Sequence, residues 1–105
     1  MIDDTTYTWS NRCEEFIDFC TIVIEHIEEY TVKQYGDAPD DPVQEWSAKK
    51  CIDCIERYVN RFETNRRGRL ETLRDMAKIS HFACMAFYKL KPTAEEILKI
   101  KTGTI

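Results

Sequence analysis

A chain of 105 residues accommodates one domain and not two, and a domain this small buries a modest share of its surface, so self-association is expected. Hydrophobic residues at 43% and charged residues at 32% exclude a disordered chain. The net charge of −4 excludes the basic balance typical of a duplex-binding protein.

The acidic start Met1-Ile2-Asp3-Asp4 lacks the basic and apolar segments of a signal peptide. The longest purely apolar run in the first half is Ile22-Val23-Ile24, so no membrane span is expected. Five cysteines, an odd number, read as reduced thiols in a cytoplasmic protein. The charge is unevenly spread. Residues 1–47 carry twelve acids and two bases, a balance of −10, and residues 48–105 carry seven acids and thirteen bases, a balance of +6. The two halves are suited to attract each other, within or between chains.

Helix breakers divide the chain. The glycines and prolines are Gly36, Pro39, Pro42, Gly68, Pro92 and Gly103, and the stretches between them are free to be helical. No hairpin dipeptide and no recurring strand-length alternation appears. After an N-terminal arm over 1–9, a first helix is predicted over 10–35, capped by Ser10 or Asn11. Cys13, Phe16, Ile17, Cys20, Val23, Ile24, Ile27 and Tyr30 form its apolar face. Residues 36–42 are a linker. A second helix is predicted over 43–63, with Asp41 as N-cap and Pro42 in the first turn. Trp46, Cys51, Cys54, Ile55, Tyr58, Val59 and Phe62 line one side of it. A third is predicted over 69–90, with Leu70, Leu73, Ala77, Cys84, Phe87 and Leu90 on its inner face. A short fourth helix over 93–101 opens with capping-box spacing between Thr93 and Glu96. The expected fold is one all-α domain: a bundle of three main helices and a short C-terminal one, completed by oligomerisation.

Two side-chain groups carry chemistry. Glu14, Asp18, Glu25 and Glu28 share a stripe of the first helix, and Glu71 and Asp75 repeat a like-charge pair on the third. Such pairs oppose helix formation and invite a compensating partner. The partner is either Mg²⁺, which takes carboxylate oxygens with water and phosphate, or an arginine from a neighbouring helix; the competing reading is a solvated acidic face. Arg57, Arg61, Arg66, Arg67, Arg69 and Arg74 are six arginines in eighteen residues with no lysine among them. Guanidinium forks match phosphate oxygens, and Arg57 and Arg61 stand one turn apart beside Tyr58 and Phe62. The competing reading is salt bridging, with Asp53 and Arg57 a ready pair. Cys51-Ile-Asp-Cys54 has CxxC spacing but no second cysteine pair, so no zinc is expected. His26 and His81 read as packed or surface residues. Phosphate-cradling glycine loops and serine nucleophile elbows are absent from the sequence.

Tyr35-Gly36-Asp37, Arg57-Tyr-Val-Asn-Arg61 and Glu71-Thr-Leu-Arg-Asp75-Met-Ala77 together resemble small phage proteins of the nucleotide-modification-associated domain family. The Arg-Tyr-x-x-Arg piece with its following Glu-x-Leu is also similar to a second family of small phage proteins linked to nucleotide metabolism. Both families resemble the all-α nucleoside triphosphate pyrophosphatases of the MazG type. The resemblance covers roughly residues 33–90. It implies a nucleotide or cyclic-nucleotide ligand, Mg²⁺, and a host-cell cytoplasmic location for a phage-encoded chain. By matching position it points to Tyr35, Asp37, Arg57, Arg61, Glu71 and Asp75. With the neighbouring Arg66 and Arg67, the expected ligand set is Tyr35, Asp37, Arg57, Arg61, Arg66 and Arg67. The expected metal set is Glu25, Glu28, Glu71 and Asp75. Glu25-His-Ile-Glu28 fits the first half of the MazG-type signature, while Glu71 and Asp75 stand one residue too far apart for the second. The alternative is a non-enzymatic interaction protein, either an inhibitor of a host or defence enzyme or a sequestering agent for a signalling cyclic nucleotide. In the inhibitor case the acidic first helix would fill a basic groove on the partner.

Overall fold

The computed structural model describes residues 8–37 and 42–104. Every regular element among them is helical. The chain divides between Asp37 and Ala38 into two compact units.

In the first unit, α1 (Asn11–His26) runs through one π-helical turn (Ile27–Thr31) into α2 (Val32–Tyr35). The start is fixed locally: Ser10 is in extended conformation, and its hydroxyl accepts from the Cys13 amide at 3.2 Å. Glu14 in the first turn complements the helix dipole. At the other end Gly36 takes φ 87°, which stops the helix where the sequence places the stop. Val23 is buried, but Phe16, Ile17, Ile24 and Tyr30 of the expected apolar face are each more than 40% exposed.

The second unit is built on α3 (Ala48–Asn60) and α4 (Arg69–Lys89). Their cross-contacts pair Arg61 with Asp75, Tyr58 with Phe82, and the Gln44 carbonyl with Lys89. That descending order is an antiparallel hairpin. The second helix starts later than the sequence reading placed it. Pro42–Glu45 forms a 3₁₀ turn, and Ser47 caps α3 by accepting from the Lys50 amide at 3.1 Å. Asp41, the expected cap, lies outside the described residues. The helix also ends earlier, with Arg61 as its C-cap. The core of the hairpin is small and includes Cys51, Cys54 and Ala86. Both thiols of the CxxC pair therefore pack as small apolar groups, and burial pushes the Cys51 thiol up from its ordinary range.

The inner face of α4 differs from the one read from leucine spacing. Ala77 is buried and Phe87 half-buried as expected, but Leu70, Leu73, Cys84 and Leu90 are exposed, while Asp75 is buried and Phe82 lies against Tyr58. Residues 71, 75, 78, 82 and 86 share one side of a helix, and 70, 73, 77 and 84 share the other. The polar-aromatic side faces α3, because that is where the cross-helix partners are. Val59 on α3 and Phe62 just past its end are likewise exposed rather than inward.

Past Pro92, α5 (Ala94–Thr102) opens with a complete capping box: Thr93 and Glu96 exchange side-chain-to-backbone bonds of 2.9 and 3.1 Å. Among the described elements, α5 packs along none of the other helices.

Gly68 is the N-cap of α4 at φ 96°, ψ 179°, a region essentially reserved for glycine. A Cβ there would meet no atom within 4 Å, so the penalty for a side chain is backbone strain alone. Gly68→Ala is expected to cost about 1–3 kcal/mol, read as a lower urea midpoint at unchanged slope.

Candidate functional site

The turn joining α3 to α4 gathers most of the arginines. At its base, Arg61 forks onto Asp75: Nε donates to Oδ2 at 2.8 Å and Nη2 to Oδ1 at 2.6 Å. The Asp75 side chain is 2% exposed and that of Arg61 is 32% exposed. The guanidinium hydrogen bonds hold the Asp75 carboxyl below its ordinary range, and the carboxylate in turn raises Arg61. Asn65 buttresses the pair. Its amide nitrogen donates to Thr72 Oγ1 at 3.2 Å and, at 3.5 Å, to Asp75 Oδ2. Its carbonyl oxygen accepts from the Arg67 amide at 2.9 Å. Thr72 Oγ1 completes the chain by donating to the Gly68 carbonyl at 3.2 Å. Among the described residues no buried side-chain nitrogen or oxygen lacks a partner.

One turn up α4, Glu71 accepts from Arg74 Nη1 at 2.7 Å and pairs with Arg67 Nη2 at 3.3 Å. The hydrogen bond from Arg74 lowers the Glu71 carboxyl, with Arg67 adding to the shift. Asp75 thus has an arginine from the end of α3, whereas Glu71 has arginines from its own helix and the preceding turn. Asp53 pairs with Lys49 at 3.1 Å, and Arg57 Nη2 donates instead to Cys54 Sγ at 3.2 Å. Arg57, Arg66, Arg67, Arg69 and Arg74 are all exposed.

Of the expected ligand residues, Arg57, Arg61, Arg66 and Arg67 belong to this turn and the end of α3. Tyr35 and Asp37, both exposed, belong to the first unit. Of the expected metal ligands, Glu25 and Glu28 are exposed on the first unit, and Glu71 and Asp75 hold arginines in the second. Among the described residues, no three His, Cys, Asp or Glu side chains gather as ligands for a metal ion. His26 stacks on Tyr30 at 5.2 Å.

The network has members that the sequence reading passed over. Asn65 and Thr72 look like ordinary turn and helix residues, and only their pairing across the turn gives them a role. Lys78 and Phe82 follow Asp75 at three and seven residues, which puts them on its face of α4. That spacing was the available signal. Tyr58 lies under the Arg61 guanidinium at 4.8 Å, and burial, the largest influence, raises its hydroxyl.

No protein-family model matches this chain, and no curated protein or solved structure matches it either. No described helix is long and apolar enough to cross a membrane.

Proposed function

We propose that this protein binds a nucleotide or cyclic nucleotide by its phosphates at the arginine-rich turn between α3 and α4 and holds it without turning it over. The observation that carries this reading is the charge left over at the turn. Residues 57–75 contain six arginines and three acids, Glu63, Glu71 and Asp75. Arg61 is consumed by Asp75, and Glu71 is shared between Arg67 and Arg74. Arg57, Arg66 and Arg69 remain in excess of what those two carboxylates neutralise. Exposed guanidinium groups at that density favour a bidentate oxyanion. The resemblance to phage nucleotide-metabolism proteins includes Arg57 and extends to Arg61 at the base of the same turn. It adds a cytoplasmic location in the host cell.

Glu71 and Asp75 speak against turnover. A metal-activated water needs carboxylate oxygens free to coordinate. Both Asp75 oxygens accept guanidinium hydrogen bonds inside a closed network, and both Glu71 oxygens face arginine. Mg²⁺ on these two residues would have to displace three arginines. Oligomerisation belongs to the same reading, since exposed Leu70, Leu73, Leu98 and Ile100 offer apolar surface to a second copy.

A second reading draws on the first unit. Glu14, Glu15, Asp18 and Glu25 are exposed on α1 together with Phe16, Ile17 and Ile24. An acidic helix with apolar residues at its surface suits a basic groove on a host or defence enzyme. One experiment separates the two. Calorimetry with a panel of deoxynucleoside triphosphates and cyclic dinucleotides is expected to give saturable heat with at least one of them. No heat from any of them would overturn nucleotide binding and leave the interaction protein.

A further inference from the structure

Along the seam between α3 and α4, next to the Arg61–Asp75 pair, three aromatic rings form a ladder. Trp46, just before α3, lies nearly parallel to Phe82 of α4, with ring centroids 6.3 Å apart and planes 7° apart. Tyr58 of α3 lies over Phe82 at 6.0 Å and 27°. All three rings are half-buried, so each keeps an edge or part of a face open to solvent. Cations stand over the outer rungs. Lys50 Nζ is 5.3 Å from the Trp46 centroid, Lys78 Nζ is 5.7 Å from that of Tyr58, and the Arg61 guanidinium is 4.8 Å from Tyr58. Asp75 lies near Tyr58, and Arg61 neutralises it.

Core aromatics need no such company. Rings presented at a surface and interleaved with lysine are the arrangement that takes a nucleobase on a π-face and its phosphate on an adjacent cation. Neither half is specific by itself. Here both lie on one seam that leads directly into the arginine-rich turn. A flexible lysine over a ring is also readily displaced: a base can take its place on the π-face while the ammonium swings to the phosphate.

We infer that the Trp46–Phe82–Tyr58 strip, with Lys50 and Lys78, is a base-stacking seat for a nucleotide whose phosphates reach the arginine-rich turn. The inference rests on the nucleotide reading above and adds to it a part of the protein that recognises the base. The same chemistry is offered by a free nucleotide and by a short single strand.

The test uses the indole at the end of the ladder. The chain has two tryptophans, so Trp9→Phe leaves Trp46 as the sole indole reporter. This protein is titrated with a deoxynucleoside triphosphate, with inorganic tripolyphosphate and with a short oligothymidylate, following Trp46 emission and heat together. The expected result is saturable quenching by the nucleotide or the oligomer, whichever is the source, and heat without quenching from tripolyphosphate. Phe82→Leu, checked for folding by circular dichroism, is expected to weaken the quenching ligand about tenfold and leave tripolyphosphate unchanged. Equal binding of nucleotide and tripolyphosphate with Trp46 emission unmoved would overturn the base seat and leave phosphate capture standing. No binding of any of the three would overturn both. The quenching measurement needs no core substitution, so an unfolded Phe82→Leu leaves the test intact.

Discussion

Arg61→Ala is expected to destabilise the second unit by roughly 3–5 kcal/mol, the range for a buried pair that loses one partner. The two ends of the pair are unequal. With Arg61 gone, the Asp75 carboxylate stays 2% exposed, without the guanidinium that solvates it. With Asp75 replaced by Asn, the guanidinium is already one-third exposed and can turn to water. Asp75→Asn is therefore expected to cost less, on the order of 1–3 kcal/mol. Urea unfolding of both variants reads the difference directly. An Arg61→Ala cost below that of Asp75→Asn would contradict the burial asymmetry.

The same pair sets a pH signature. In the intact protein the folded Asp75 carboxyl titrates below its unfolded value, which lies near 3.8. Its contribution is thus fully present above that value and is lost as the pH falls through the lower folded pKa. In Arg61→Ala the buried carboxylate keeps only the long Asn65 contact and the outlying charges of Lys78 and Arg67, so burial is expected to raise its pKa above the unfolded value. The sign then reverses. The variant gains stability from this group as the pH drops from 7 towards 4, and the gap to the parent protein narrows over that window. A gap that stays constant from pH 7 to 4 would show that Asp75 remains solvated without Arg61.

Neutralising the turn gives the second large effect. Arg66→Gln, Arg67→Gln and Arg69→Gln together remove three exposed guanidinium groups, one of which is shared with Glu71. Charge-assisted contacts contribute roughly 1.5–3 kcal/mol each. Loss of two productive contacts is therefore expected to weaken nucleotide binding at least a hundredfold, with little change in unfolding midpoint because the side chains are exposed. Binding by the parent protein is also expected to weaken as salt rises, and the dependence to flatten in the variant. Unchanged affinity in the triple variant would remove the turn from the site.

The parts of this structure that are legible in the sequence are those decided within a few residues. Ser10, Gly36, Gly68, Thr93 and Glu96 act on their own turn of backbone, and each stands where its residue type places it. The start of the second helix is not legible, because Asp41-Pro42 carries a strong local signal, yet the α-helix waits for Ser47. Tertiary choices were less legible. Leucine spacing on α4 points to one face, and the contacts with α3 lie on the opposite one. Arg61 and Asp75 are fourteen residues apart on different helices, so nothing local marks them as partners. The sequence could say that Asp75 needs a partner and that arginines were nearby. Only the fold selects Arg61, and that selection pairs an expected phosphate ligand with an expected metal ligand.

The central claim is capture without turnover. The most direct measurement incubates the protein with the tightest-binding nucleoside triphosphate and Mg²⁺, denatures the complex, and separates the recovered nucleotide by chromatography. Stoichiometric recovery of the intact triphosphate is expected. Conversion to monophosphate and pyrophosphate at a rate abolished by Asp75→Asn or Glu71→Gln would contradict it, by showing that those carboxylates hold a metal.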